Sequence, residues 1–238
     1  MIDTHCHILS GMDDGAVNAD ISMLMAQMAA ADGITRIIAT PHIQNNYPSA
    51  ENIQNATREL NHRLHHWGLP ITIVPGAEVS MTMDLDTMMT YTINHTPYIL
   101  IEFPHSHIPG NSKDIFFQLK IRGYHPIIAH PERHPDIIRQ PKILFDLHEQ
   151  DVLVQITADS LIGRFGPAPQ KCAEYLLKKN VVDIIASDAH SVNDRCPVLS
   201  KGIRAAAKII GREKAFALVT KNPLAVIRGD SLSDCAHA

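Results

Sequence analysis

The sequence predicts an α/β protein, a closed or nearly closed barrel of about seven strand-then-helix units in 238 residues. Three observations predict it. Short β-branched and aliphatic runs alternate with longer amphipathic stretches, the order that gives a parallel sheet. About seven such units suit a barrel of this length. No linker rich in Gly, Ser or Pro interrupts mid-chain, so 1–238 reads as one domain, with 231–238 as a loose tail.

Strands are expected at residues 2–5, 35–39, 71–74, 98–102, 126–129, 152–156 and 183–186, most of them too short for a helix. Helices are expected at 20–31, 50–67, 113–122, 142–149 and 169–179, then at 199–210, 212–219 and 224–227. In the first helix, Ile21, Leu24, Met25 and Met28 recur at helical spacing, and Gly33 supplies a stop. A Met-rich stripe of this kind is read as core rather than as a cofactor site. In the second, Ile53, Ala56, Leu60 and Leu64 make the apolar face. That leaves His62, His65 and His66 on or near the polar side.

Composition excludes several classes. With 45% hydrophobic and 19% charged residues, the chain is neither disordered nor collagen nor coiled coil. A net charge of −4 gives no general attraction to nucleic acid or anionic membrane, which counts against a nucleolytic module. No apolar run approaches the ~18 residues that would suggest membrane insertion. The start, Met1-Ile2-Asp3-Thr4-His5, lacks the basic stretch and apolar core of a secretory leader, so a cytoplasmic protein is expected. Cys6, Cys172, Cys196 and Cys235 lie far apart, which argues against a disulfide framework and a cysteine zinc site. A Walker loop, a Cys-x5-Arg phosphatase loop and a GxSxG elbow are all missing.

The 15 histidines stand out, and their positions carry more than their number. The first strand runs into His5-Cys6-His7 and the second into Thr40-Pro41-His42. The third is followed by Gly76-Ala77-Glu78, and the fourth ends Ile101-Glu102-Phe103. The fifth runs into His130-Pro131-Glu132-Arg133, and the seventh into Ser187-Asp188-Ala189-His190. In a parallel barrel these strand ends form one face, where active sites lie.

Side chains alternate along a strand, so His5 and His7 point the same way and can reach one metal ion. Asp13-Asp14-Gly15 reads alone as a turn, but beside a metal site one of the two Asp can be a ligand. Glu78 and Glu102 near the barrel mouth are costly to desolvate unless paired or metal-bound. Arg133 and Arg195 lie on loops after His130 and His190, where guanidinium groups above a cationic site suit a phosphate. A purely structural metal role is disfavoured, because structural zinc sites usually close with four ligands and use Cys.

Taken in order, these motifs resemble the polymerase-and-histidinol-phosphatase (PHP) superfamily. Within it, His5-x-His7 followed by Asp13-Asp14-Gly15 is similar to the bacterial capsule-type protein-tyrosine phosphatases, the CpsB/YwqE group. The likeness runs from Met1 to about Arg228. It implies a distorted TIM-like (βα)7 barrel holding three divalent metals, with Mn favoured and Fe or Zn compatible with nitrogen and oxygen ligands. By this resemblance His5, His7, Glu78 and Asp188 hold the first metal. Glu78, Glu102 and His130 hold the second, and Asp14, His42 and His190 the third. Arg133 and Arg195 match the phosphate-binding arginines.

The activity implied is hydrolysis of phosphotyrosine by in-line attack of a metal-bridging hydroxide. A tyrosine leaving group, with a pKa near 10, makes a strong general acid less necessary. The partner implied is the tyrosine-rich tail of a bacterial tyrosine kinase controlling exopolysaccharide export. The alternative is a small phosphomonoester such as histidinol phosphate. Loops 44–49 and 103–112, the latter with His105 and His107, depart from the family pattern and are expected to shape substrate access.

Overall fold

Described here from a computed structural model, residues 1–43 and 48–232 form nine strands, all paired in parallel. These are β1 (Ile2–Cys6), β2 (Arg36–Ala39), β3 (His42–Ile43), β4 (Thr72–Pro75), β5 (Glu78–Ser80), β6 (Tyr98–Glu102), β7 (His125–Ala129), β8 (Leu153–Thr157) and β9 (Ile184–Ala186). All seven expected strands form. The other two, β3 and β5, are short continuations of β2 and β4. Pro41 has no N–H to give to a ladder and interrupts the first of these segments. Gly76 and Ala77 interrupt the second, and a Cβ on Gly76 would lie 2.7 Å from Ile38 Cγ2.

These interruptions split the strands into two sheets, ordered β1-β2-β4 and β3-β5-β6-β7-β8-β9. The expected seven-unit ladder therefore does not run unbroken. The far ends nevertheless approach each other through a single bridge from Cys6 to Ala189. There the His7 N–H donates to Ala189 O at 2.8 Å and the Asp188 N–H to His5 O at 2.9 Å. This junction sets β1 and the segment after β9 side by side, and both carry site residues.

Helices cover the sheets, so the strands are apolar on both faces. All five residues of β6 are buried. The helix Ala19–Ala31 turns Ser22, Met25, Ala26 and Ala29 inward, a face offset from the one expected. Leu24 is 47% exposed as a result. The alanines let the helix approach closely enough for Ser22 Oγ to donate to Ile8 O at 2.6 Å. In the helix Ala50–His66, Ile53, Leu60 and Leu64 are buried as expected, with Thr57 beside them, and His62, His65 and His66 are exposed. The short helices Leu85–Thr90, Pro135–Arg139 and Ala158–Leu161 were not anticipated. One to two turns give too little periodicity to detect.

Among the described residues no helix is long and apolar enough to cross a membrane. Cys6, Cys172 and Cys196 are free thiols. Residues 44–47 of the 44–49 loop, Cys235, and the tail from 233 onward lie outside the described residues. Of the expected loose tail, Leu232 packs against a core cluster that includes Tyr98, Leu100 and Ile127.

The helix Ser200–Ile210 lies against Ala158 at a point where only glycine fits. A Cβ on Gly202 would sit 2.6 Å from both Cα and Cβ of Ala158. Gly202→Ala is expected to destabilise the fold by about 1–3 kcal/mol, the usual range for overpacking. Thermal denaturation should show a fall in Tm of several degrees.

Candidate metal centre

His5 and His7 flank Cys6 at the end of β1. Both imidazoles are fully buried and share one side of the strand, while Cys6 joins the hydrophobic core. Their Nε2 atoms lie 3.1 Å apart. Glu78, at the start of β5, brings Oε2 to 3.1 Å from His5 Nε2 and 3.4 Å from His7 Nε2. Asp188, just after β9, brings Oδ1 to 3.3 Å and 3.4 Å from the same two nitrogens. These four residues converge from three strand ends.

A second group also meets on Glu78. His130 Nε2 is 2.8 Å from Glu78 Oε1 and 3.6 Å from Glu102 Oε1. His42 Nδ1 is 3.0 Å from Glu78 Oε2 and 3.8 Å from Glu102 Oε2. In a third group, Asp14 Oδ1 lies 3.6 Å from His42 Nε2 and 3.4 Å from His190 Nε2. Asp14 reaches in from the surface, with its side chain 68% exposed.

All nine residues singled out as ligands thus meet in one place. Three of them serve more than one group, Glu78 belonging to the first and the second. Donor atoms of His7 fall within reach of the third group as well as the first, and those of His42 within reach of the second and third. The rings of His7 and His42 lie 4.5 Å apart, close enough to stand between neighbouring groups.

Backbone conformation helps to aim two of these side chains. His130 (φ 34°) and Asp188 (φ 53°) are in the left-handed region, uncommon for non-glycine residues. Such strain tends to gather at functional sites and persists where surrounding structure holds it.

The two arginines meet on a single oxygen. Arg133 Nη2 is 2.5 Å from Asp188 Oδ2, and Arg195 Nη2 bonds to the same atom. Asp188 therefore turns one oxygen to the guanidinium groups and the other to the histidines. Phe165 backs Arg133, with its ring centre 4.8 Å from Cζ. A pocket beside the site is lined by Phe103, His105, His130, Pro131, Arg133 and His134.

Charge in the centre is poorly balanced by protein groups alone. Burial raises Glu78, but the imidazoles of His5, His130 and His42 hold it well below the usual carboxylate range. Burial and the Glu78 charge push Glu102 up to about 8. Burial and the charge of His7 push His190 down to about 3, while burial and Arg133 push His130 down to about 4. Buried Glu78 Oε2, Asp188 Oδ1, His42 Nδ1 and His190 Nε2 find no hydrogen-bond partner among the described residues. Buried polar atoms rarely remain unsatisfied in native proteins. Here they converge on common points and would be satisfied by cations. The donor set, nitrogen and oxygen only, fits borderline or hard divalent ions such as Mn, Fe or Zn.

Other histidines near the site have different parts. His134 is buried, and its Nδ1 accepts from the Asp136 N–H at 3.1 Å. The proton is then on Nε2, which donates to Pro104 O at 3.0 Å and ties down the 103–112 loop. The Ile108 N–H, donating to Asp136 Oδ2 at 3.0 Å, adds a second tie. His105 is 92% exposed, 3.8 Å from Glu102 Oε1. His107 is an exposed loop residue bonded to Ser106.

Two residues that touch the ligands were not singled out. For Asp13 the turn motif alone leaves it undivided from Asp14, and the resemblance assigns only Asp14. Gln155, in β8, brings Nε2 to 2.8 Å from His5 Nδ1 while its Oε1 accepts from Thr4 Oγ1 at 2.6 Å. The signal for Gln155 is a lone polar residue inside an apolar strand.

Comparison with known proteins agrees with this geometry. A sequence model of the capsular polysaccharide synthesis family CpsB/CapC matches residues 1–228. The tyrosine-protein phosphatase YwqE of Bacillus subtilis (strain 168) is 38% identical, covering 98% of this chain and 93% of that protein. The tyrosine-protein phosphatase CpsB of Streptococcus pneumoniae is 26% identical, covering 95% and 98%. A solved structure described as YwqE from Bacillus subtilis and CpsB from Streptococcus pneumoniae, unique metal-dependent tyrosine phosphatases, superposes with a TM-score of 0.93. It is 36% identical, covering 97% of this chain and 96% of that one. A β-aspartyl dipeptidase from Fervidobacterium islandicum AW-1, 12% identical with a TM-score of 0.54, shares the fold alone, over 95% of this chain and 74% of that one.

Proposed function

The chain belongs to the CpsB/CapC capsular polysaccharide synthesis family, and from that premise we propose that it is a metal-dependent protein-tyrosine phosphatase. The observation that carries this reading is the buried cage of unpaired donor atoms with two arginines at its rim. Its relatives' names as tyrosine-protein phosphatases support the same activity.

In this reading the metal ligands are His5, His7, Asp14, His42, Glu78, Glu102, His130, Asp188 and His190. Three divalent ions, Mn favoured, would be held by them. Bound there, divalent ions supply an activated water nucleophile at neutral pH and stabilise charge on phosphoryl oxygens. Arg133 and Arg195 turn from Asp188 to grip the phosphate, each able to donate two parallel hydrogen bonds. Phe165 keeps the Arg133 guanidinium in place from behind. The substrate's phenyl ring rests in the pocket bounded by Phe103, Pro131 and His134. The phenolate leaves without needing a strong acid, because its pKa lies near 10.

The two parallel sheets are read together as one distorted (βα)7 barrel of PHP type within a single domain. Support comes from the joint at Cys6 and Ala189 and from the continuation of β2 into β3 and β4 into β5. The protein substrate is the tyrosine-rich tail of a bacterial tyrosine kinase controlling exopolysaccharide export, in the cytoplasm. The family's description as a capsular polysaccharide synthesis family supports that choice.

A direct comparison of substrates tests the reading. With added Mn²⁺, kcat/KM for a phosphotyrosine peptide should exceed that for histidinol phosphate by about tenfold or more. Preference for histidinol phosphate would sink it.

A further inference from the structure

We infer that Asp13 is a positioning residue, a buried carboxylate that sets the tautomer of His7 and couples it to His42. The inference rests on the metal-centre reading given above and concerns a residue outside the ligand set. Asp13 and Asp14 are adjacent in sequence but face opposite environments. The Asp14 side chain is 68% exposed over the mouth, and that of Asp13 is 1% exposed beneath it.

Three hydrogen bonds converge on Asp13. His7 Nδ1 lies 2.6 Å from Oδ2. The His42 N–H donates to the same oxygen at 3.0 Å, and the Gly15 N–H donates to Oδ1 at 2.9 Å. An ionised carboxylate only accepts, so with a metal ion on Nε2 the one remaining His7 proton would sit on Nδ1, facing Asp13. Nε2 is the nitrogen aimed between Glu78 Oε2 and Asp188 Oδ1, at 3.4 Å from each, where it would give its lone pair to the ion. A carboxylate behind a ligating imidazole in this way fixes ring orientation and strengthens the nitrogen as a donor.

Gly15 explains why the wedge fits. A Cβ there would lie 2.1 Å from His7 O and 2.5 Å from His7 Cβ. The chain after Asp14 must press directly on the His7 backbone, and the Ala16 N–H donates to His7 O at 3.0 Å. In Asp13-Asp14-Gly15, then, the first residue orients one histidine from below, the second reaches over the mouth, and the third permits the close approach. His5 is backed differently. A neutral amide, Gln155, stands behind its Nδ1 where Asp13 sets a carboxylate behind that of His7.

The test is metal affinity, measured without any turnover. Metal-stripped wild-type, Asp13→Asn and Asp13→Ala proteins are titrated with MnCl2, and free Mn²⁺ is followed by its electron paramagnetic resonance signal. Thermal denaturation of the metal-free forms runs alongside. Asp13→Ala should weaken Mn²⁺ binding about 10- to 100-fold, the usual effect of removing such a partner. Asp13→Asn keeps the shape and one acceptor but not the charge, so it should fall between Asp13→Ala and wild type. The metal-free proteins should melt close to wild type. Both variants binding within twofold of wild type would overturn the inference. So would a loss of affinity matched by unfolding of the metal-free protein in both variants. A wild-type protein that binds no Mn²⁺ would instead overturn the metal-centre reading itself.

Discussion

Stripping divalent ions from the protein with EDTA should cut phosphotyrosine hydrolysis by about a thousandfold or more, and Mn²⁺ should restore it. The size follows from the chemistry left behind. Without cations, Glu78 Oε2 and Asp188 Oδ1 face the histidine nitrogens with no hydrogen-bond partner among the described residues. Buried ionised oxygens in that condition are costly, and the nearby Glu102, pushed up to about 8, escapes the cost by holding its proton. No serine elbow or cysteine phosphatase loop offers a second nucleophile. Stability should fall with activity. A single site saturated at one hundred times its Kd contributes about 2.7 kcal/mol, so removing metal should lower Tm by several degrees. Steady-state assays and thermal scans on the same metal-free, reconstituted and untreated samples check both effects. Full activity in protein shown by elemental analysis to be metal-free would refute the metal reading.

Much of this centre was legible in the chain because strand geometry is regular. His5-x-His7 can be assigned to one side of β1 from the two-residue period alone. Glu78, Glu102, His130 and Asp188 each follow an aliphatic run, and parallel strands gather such positions at one end. What escaped detection lacked a period or depended on contacts distant in sequence. The strands β3 and β5 have two and three residues, too few to show alternation. The break between the sheets comes from Pro41 and Gly76, which read equally well as ordinary loop residues. The inward face of the first helix differs from the expected stripe because alanines and Ser22 suit close packing better than Leu24. Asp13 and Asp14 cannot be distinguished by type. Their opposite roles arise only when Gly15 folds back on His7 and His42 arrives from another strand.

Arg133→Ala should lower kcat/KM for a phosphotyrosine peptide by about 10²- to 10³-fold while leaving metal content intact. Two roles compete for this guanidinium. It is paired with Asp188, a ligand in the proposed centre, and it stands at the rim where a phosphate would enter. Were pairing its main role, losing it would release Asp188 and the metal with it. Arg195 argues against that outcome, because it bonds the same Asp188 oxygen and remains after the substitution. Asp188 also sits well below the usual carboxylate range; burial opposes this, but His5 and then Arg133 favour it, so the histidine side survives. A phosphate would have no comparable substitute, since a second bidentate donor is lost from one side. Arg133→Lys should recover only part of the activity, because an ammonium supplies charge without the planar pair of donors or the stacking on Phe165. Kinetics paired with elemental analysis of each variant separates the two roles. Loss of metal in Arg133→Ala would make the residue a support for Asp188 rather than a grip for phosphate.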